Sequence, residues 1–349
     1  MFLRLVLYGL LVTTILTVRV EDDEILPEYL EEKNPTFTNK IAVELDEDDE
    51  SLAAQIAREY NLKNNGRIGS LERLFEFEHE EETGKRQRRS LMANLKGHPR
   101  VKAADRQYIL KRYKRGYEED QANINCQEGK ELIRLQRENR LKDKRYFRDP
   151  EFNKQWYIHN TGQQGLPLFD INVLPVYKKG ITGKGVVVAV LDDGLDHTHP
   201  DLERNFDRKA SINLNNRMNG RPEYDPFPRD EDDYNAHGTK CAGEIAAQAN
   251  NDICGAGIAP NVKIGGVRML DGTATDTLEA KALSFKRNYI DIYSNCWGPK
   301  DDGKTFGRPG KNGMKALADG AKYGRKGELN ENFYLLNIEI YFRFLIFFM

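Results

Sequence analysis

Cysteine is scarce. Four occur in 349 residues: Cys126, Cys241, Cys254 and Cys296. That is too few for a disulfide scaffold, and no pair has the close spacing of a zinc site. An excess of one charge sign is also missing, since 53 Lys and Arg stand against 55 Asp and Glu. No basic footprint follows, so nucleic acid is not an expected partner. Long apolar runs are confined to the two ends. The first, MFLRLVLYGLLVTTILTV, has Arg4, an apolar run from Leu5 to Val18, and acidic residues Glu21 to Glu24 beyond it. It is short for a membrane span and has the grammar of a signal peptide over residues 1–20. An uncleaved anchor is the alternative, because Val18-Arg19-Val20 is a poor cleavage sequence. Either way the chain is expected to enter the secretory pathway, where disulfides are allowed.

The length permits two domains. Residues 36–115 have the pattern of a small α/β domain. FTNKIAVELD reads as a strand, Asp48 to Tyr60 as a helix with Leu52, Ile56 and Tyr60 on one face, and RLFEFEHE as a half-buried alternating strand. Ser90 to Lys96 reads as a second short helix. Two basic runs mark this region: RQRRS at 86–90, expected in a loop, and KRYKRG at 111–116 at the domain's end. Charge runs are usually solvated surface, but these stand where a chain would be nicked or cut. Arg89 and Arg115 are therefore the expected processing sites. Residues 116–148 are charged, carry one possible helix and a further dibasic stretch, KDKR, and read as a linker or insertion.

From Asp149 onward strands alternate with helices: Val186–Leu191, a helix from His237, KIGGVRML at 263–270, a helix near Thr275–Phe285, and YIDIYSNCWG at 289–298. The fold class is α/β, with a small α/β domain followed by an incomplete parallel sheet flanked by helices. Functional groups in such sheets sit at the carboxyl ends of strands. Asp192 and Asp193 end the first strand, and His237 opens the helix of AHGTKCAGEIAA. An acid at a strand end followed by a histidine at a helix start is the order of the subtilisin triad, lacking its serine. A lone Asp is more often a turn former and a lone His more often packing. DDG after a β-rich run, then H-x-H-P-D-L, then HGT-x-C-A-G is far more specific.

These segments resemble the subtilisin-like proprotein convertases of the kexin branch. So do WYIHNTGQ at 156–163, GITGKGVVVAVLDDG at 180–194, ANNDICGAGIAP at 249–260, VRMLDG at 267–272 and IDIYSNCWGPKDDGKT at 290–305. FTNKIAVEL, KRQRRSL, HPRVKAADRQ and KRGY are similar to the family's propeptide. The resemblance covers about residues 36–116 and 149–327. It implies an inhibitory propeptide over 36–115, a partial peptidase S8 domain over 149–327, and a calcium-dependent serine endopeptidase cleaving prohormones and proneuropeptides after paired basic residues. Asp192 and His237 would be the triad acid and base. Asp193, Glu279 and Asp301 would receive basic substrate side chains, as carboxylates suit Arg and Lys. Ca²⁺ would be held by Asp149, Asp201 and Asn251 with the carbonyls of Gln248, Ile253 and Gly255, an all-oxygen set for a hard cation. The expected partners are the substrates, the chain's own propeptide as inhibitor, and a neuroendocrine convertase chaperone. The expected location is the endoplasmic reticulum, Golgi and secretory vesicles, or outside the cell.

The chain departs from the pattern in places. Gly307 replaces an acidic residue, Lys300 stands beside Asp301, and Cys296 replaces a small residue before Trp297. Cys254 lacks the downstream cysteine it would pair with. Glu76 stands where relatives have a histidine, leaving His79 as the nearest titratable ring for a pH trigger. After Gly327 the resemblance ends, and ELNENFYLLNIEIYFRFLIFFM offers no nucleophile. The sequence as written is expected to be inactive. The alternative reading is a non-catalytic product whose propeptide binds or inhibits a full-length convertase.

Overall fold

The computed structural model describes residues 35–79, 85–114, 146–163, 169–215, 221–229, 235–300 and 307–327. The signal-like segment, Arg115, Cys126, Asp301, most of the 116–148 segment and the 328–349 tail lie outside the described residues.

The first layer is a four-stranded antiparallel sheet ordered β2-β3-β1-β4. Its strands are β1 (Phe37–Leu45), β2 (Lys63–Arg67), β3 (Leu74–Glu78) and β4 (Val101–Tyr108). Two helices cover one face, α1 (Glu50–Glu59) and α2 (Lys85–Lys96). Asp49 starts α1 because its carboxylate accepts the otherwise orphaned amides of Ser51 and Leu52. Val43, Leu45, Ile56, Phe75, Phe77 and Leu95 fill the core between sheet and helices. All of that core comes from residues 41–104. The helix expected to begin at Ser90 begins at Lys85, so Arg89 lies on a helix, exposed, and not in a loop.

The second layer is a parallel sheet ordered β7-β8-β6-β9. It contains β6 (Val187–Asp192), β7 (Ile212–Asn213), β8 (Lys263–Arg268) and β9 (Ile292–Ser294). Strand β6 shows why a continuous apolar run is required. Val188 and Val190 pack into the cluster with Cys241 and Ala242, while Ala189 and Leu191 pack into the opposite one with Val267 and Leu278. Alternate side chains face opposite ways, and both faces are covered. Helix α4 (His237–Ala246) covers the first face and α5 (Asp276–Leu283) the second. A short helix, α3 (Leu174–Lys178), precedes β6, and α6 (Lys311–Tyr323) packs beside α5. The run expected as one strand over 289–298 is two: β9 ends at Ser294, and β10 (Trp297–Gly298) leaves the sheet to pair with β5 (Tyr113–Lys114).

The two layers meet along α5. Ala42, Ile68, Leu71 and Leu74 from the first join Leu278, Ala282 and Leu283 from the second in one apolar cluster. Thr277 donates its hydroxyl to Glu76 at 2.6 Å and its amide to Gln107 at 3.1 Å. Ser70 donates to the Ser284 carbonyl at 2.7 Å. Gly69 is required here, since it has φ +57° and a Cβ would fall 1.9 Å from the Ser284 hydroxyl.

Glu76 corrects the alternating reading of RLFEFEHE. Its position on β3 was expected to face water, yet it is 1% exposed. Helix α5 covers that face, and Lys281 and Lys40 reach the carboxylate at 3.0 and 3.1 Å. Burial alone would push this carboxyl up, but Lys281, Lys40 and Thr277 together hold it down at about 2. Such a group stabilises the folded form fully above its ordinary value of 4.5, and the contribution is lost only as pH falls toward about 2. The Glu76 anchor should therefore not titrate between about pH 5 and 8. Glu76→Gln should lower stability by about 1–3 kcal/mol, by an equal amount across that range, as urea unfolding would measure. His79 behaves oppositely. Burial first, then Arg88 and Arg106, hold its ring below the usual value of 6.5. Its unfolded form binds protons more readily, so stability should fall on acidification below about pH 6.5, and His79→Gln should blunt that dependence.

Candidate active site

The site lies at the carboxyl end of β6. Asp192 and Asp193 are both 0% exposed; Asp192 is the last residue of β6, and Asp193 stands in the bend that follows it. Asp192 Oδ2 is 2.9 Å from His237 Nδ1. Burial pushes the Asp192 carboxyl up, and the hydrogen bond and charge of His237 pull it back. With Nδ1 turned to the acid, Nε2 is the ring atom left to work on a substrate. Asp193 does something different. Helix α4 has Ala236 at its start and no side-chain cap of its own. Asp193 supplies one from the bend after β6, accepting the amides of Gly238 at 2.8 Å and His237 at 3.2 Å. Gly238 makes the approach possible: a Cβ there would lie 2.2 Å from the Gly194 carbonyl and 2.8 Å from Asp192 Cβ.

The remaining Asp193 contact comes from the end of the first layer. The segment after β4 runs along α5, with the Leu110 amide on the Ala274 carbonyl at 2.9 Å. Arg112 grips Glu279 with two hydrogen bonds, Nε to Oε1 at 2.5 Å and Nη2 to Oε2 at 3.0 Å. Tyr113 and Lys114 then pair antiparallel with Gly298 and Trp297. Lys114 Nζ reaches Asp193 Oδ2 at 2.7 Å. Period-two geometry sends Arg112 and Lys114 to one side, onto two buried carboxylates, while Tyr113 between them is 47% exposed. Trp297 fixes β10 in place by donating its indole N–H to the Leu191 carbonyl at 2.7 Å. The Arg112 guanidinium lies 5.8 Å from the centre of its ring.

Of the expected substrate-binding residues, Asp193 and Glu279 are occupied by Lys114 and Arg112, and Asp301 lies outside the described residues. Gly307 packs on Pro299, where a Cβ would come within 2.9 Å of the proline ring. The sequence singled out the basic run 111–116 as a cutting site. It did not assign Arg112 or Lys114 to individual carboxylates, although their i, i+2 spacing was a usable signal. Trp297 as a brace and Thr277 and Lys281 as an anchor were missed, because each depends on a partner more than 100 residues away.

Asp149, Asp201 and Asn251, far apart in sequence, come together. Asp149 accepts the amides of Asn250 and Asn251 at 2.7 and 3.0 Å. Asn251 Nδ2 donates to Asp201 Oδ1 at 2.8 Å. Asn250, Asp252 and Cys254 have positive φ, which winds the loop tightly beside Asp149. Gln248 joins it by donating its amide to the Asp201 carbonyl at 2.9 Å, and Ile253 by donating to Asn251 Oδ1 at 3.1 Å. Gly255 follows in the same loop, against Gln155. Burial raises the Asp201 carboxyl, and the nearby Asp149 charge adds to this. The carboxylates of Asp149 and Asp201 and the side-chain oxygen of Asn251 are oxygen ligands of the kind a hard cation takes, while in this structure N–H groups of residues 250 and 251 face the two carboxylates.

Residues 183–333 match the subtilase family, and residues 40–115 match the peptidase S8 pro-domain. A PC3-like endoprotease (variant B) of Hydra vulgaris is 49% identical over 298 residues, 84% of this chain and 37% of the relative. Neuroendocrine convertase 2 of Homo sapiens is 40% identical over 302 residues, 85% of this chain and 43% of the relative. Fervidolysin from Fervidobacterium pennivorans, a keratinolytic enzyme related to subtilisin, aligns over 84% of this chain and 40% of its own, with TM-score 0.54 and 18% identity, and shares the fold. The chain belongs to the subtilases, a family of serine endopeptidases, and its curated relatives are convertases. It spans about two fifths of those relatives' length. No helix among the described residues is long and apolar enough to cross a membrane.

The grip on the 112–114 tail should depend on pH through Glu279. Burial holds the Glu279 carboxyl above its ordinary value, and Arg112 opposes this. When Arg112 leaves, the cleft opens to water and the carboxyl relaxes toward its ordinary value of 4.5, so the closed state binds a proton more tightly than the open one. Opening should therefore become easier as pH rises through that range. Protection of the Tyr113 and Gly298 amides, taken as hydrogen exchange relative to the intrinsic rate at each pH, should fall as pH rises in the native protein. In Glu279→Gln that protection should be low already and flat with pH.

Proposed function

We propose that this protein is a calcium-dependent serine endopeptidase of the proprotein convertase type that cuts after paired basic residues. The observation that carries the reading is the 112–114 segment. Two basic side chains with i, i+2 spacing lie on two buried carboxylates, paired as a strand with β10, and the segment ends beside the Asp192–His237 pair. A substrate would lie the same way, its backbone adding to Trp297–Gly298 and its basic side chains entering Asp193 and Glu279. Arg115 follows Lys114 and would be the residue at the cut, with Asp301 its partner; Arg89, exposed on α2, is a second candidate cut. Until it is released, the tail occupies the cleft and acts as an inhibitor.

In the chemistry, His237 Nε2 takes the proton of the nucleophile and returns it to the leaving amine. Asp192 holds the ring in the needed tautomer and stabilises its charged form. The reading assigns the serine to the part of the family pattern that this chain's match does not cover. Asp149, Asp201 and Asn251, with the carbonyls of Gln248, Ile253 and Gly255, would hold Ca²⁺. Bound there, the ion supplies fixed positive charge that ties the 248–255 loop to the start of the domain. Prohormones and proneuropeptides are the proposed substrates and the secretory pathway the proposed compartment.

The test is a fluorogenic peptide series ending Arg-Tyr-Lys-Arg, assayed with the full product of the gene. His237→Ala should abolish cleavage. Asp193→Asn should lower kcat/KM for Lys before the cut residue by about 30-fold or more, which corresponds to about 2 kcal/mol for one partner of a buried charge pair. Equal cleavage of peptides with and without the basic pair would refute the reading. One observation favours the non-catalytic alternative: the first layer has its own core. If that alternative is right, the series is uncut and residues 36–115 inhibit an active convertase supplied in trans.

Calcium has a separate readout. A ligand of the folded form alone adds about 2.7 kcal/mol at a hundredfold excess over Kd. Chelation should therefore lower the Tm of the native protein, and Asp201→Asn should remove the calcium-dependent shift.

A further inference from the structure

We propose that Cys241 and Cys296 form a reversible disulfide at the foot of the Asp192–His237 pair. This site does not depend on the peptidase reading. Cys241 lies one turn beyond His237 on α4, buried, with Sγ 3.8 Å from Nδ1 and 3.9 Å from Nε2 of that ring. Ligand atoms of Asp192, His237 and Cys241 all lie within 4.8 Å of one another. Cys296 stands between β9 and β10, partly exposed, with Sγ 3.8 Å from Ser294 Oγ. The two thiols are 55 residues apart in sequence yet act on each other electrostatically, packed in the same cluster over Val188, Val190 and Ile264. The three described cysteines are free thiols, and the third, Cys254, is exposed.

The pair is chemically unequal. Cys241 is buried, and burial disfavours its thiolate, whereas Cys296 is partly exposed and has the Ser294 hydroxyl beside its sulfur. The thiol that solvent can reach is thus the one placed to react first, as a redox-active pair requires. A small-molecule disulfide such as oxidised glutathione is the oxidant. The Cys296 thiolate attacks one of its sulfurs, forming a mixed disulfide and releasing one glutathione thiolate. Cys241 gives its proton to that class of leaving group and attacks Cys296 Sγ, forming Cys241–Cys296 and releasing the second glutathione. Two protein thiols are oxidised and one glutathione disulfide is reduced to two thiols. The bond would join the helix that carries His237 to the residue before Trp297, and so to the strand that receives Tyr113–Lys114.

The experiment treats the purified full chain with oxidised glutathione, blocks remaining thiols, and maps it by mass spectrometry without reduction. The expected product is a Cys241–Cys296 linked peptide, two hydrogens lighter than its parts, reversed by reductant. In Cys241→Ser, glutathione should stay attached to Cys296. In Cys296→Ser, the Cys241 thiol should remain unmodified while Cys254 reacts. The proposal is overturned if wild-type Cys296 keeps its glutathione, if both thiols stay free while Cys254 reacts, or if the link joins other cysteines or two chains.

Discussion

Two neighbouring carboxylates are buried at the end of a parallel strand, and much of the surrounding structure serves to neutralise them. An unpaired buried carboxylate is costly and would take up a proton instead. Asp192 ends β6 and Asp193 stands in the bend after it, and each carboxylate needs its own partners. Asp192 receives an imidazole. Asp193 receives the first amides of α4 and an ammonium from the 112–114 tail. One helix therefore satisfies both: its first residue supplies the ring and its first turn supplies the backbone donors. This is why histidine and glycine must be consecutive at 237 and 238. The ring has to face one acid while the backbone closes on the other, at a distance no Cβ allows.

The same economy explains the tail. Glu279 is on α5 and Asp193 just after β6, and each is nearly excluded from water. Two basic side chains two residues apart on a strand meet both at once, and β10 provides the backbone pairing that sets their register. The tail is held by charge at two points and by a short ladder between them. The first layer, by contrast, holds to the second through α5, with apolar packing and the Glu76, Ser70 and Gln107 hydrogen bonds. These two holds differ in their response to protons. Glu76 keeps its charge because two lysines and a hydroxyl face it, whereas Glu279 has one guanidinium that can leave. Glu279 therefore responds to protons at a higher pH than Glu76, and a change of pH acts on the tail before it acts on the interface.

Much of this was legible in sequence where periodicity was strong. VVVAVLDD can only be a strand covered on both faces, and Asp192 at its end falls where α/β sheets place their chemistry. The helix from His237 was legible from its glycines and alanines. KNNGR carried no strand signal, since β2 forms through pairing with β3 and not through its own side chains. RLFEFEHE misled because alternation reports that one face is polar without reporting what covers it. A carboxylate facing lysines from another layer looks the same in sequence as one facing water. YIDIYSNCWG read as one strand because its composition is uniform, but Trp297 has to leave the sheet to reach the Leu191 carbonyl. The Asp149, Asp201 and Asn251 cluster was visible only through family resemblance, since nothing local ties residues that far apart.

Cys296 illustrates a different limit. A cysteine replacing a small residue is nearly silent in composition and fits the turn between β9 and β10 sterically. Its meaning comes from the helix opposite, where residue 241 is also cysteine, one turn beyond the histidine. A serine at either position would leave the other cysteine with no partner thiol and no redox chemistry available. Two thiols there give the centre a covalent state that depends on the surrounding thiol–disulfide balance. That state would stiffen the contact between α4 and β10, the two elements whose relative position sets both the His237 ring and the strand edge. The carboxylate pair fixes the charge of the site, and the thiol pair beneath it is placed to fix its geometry.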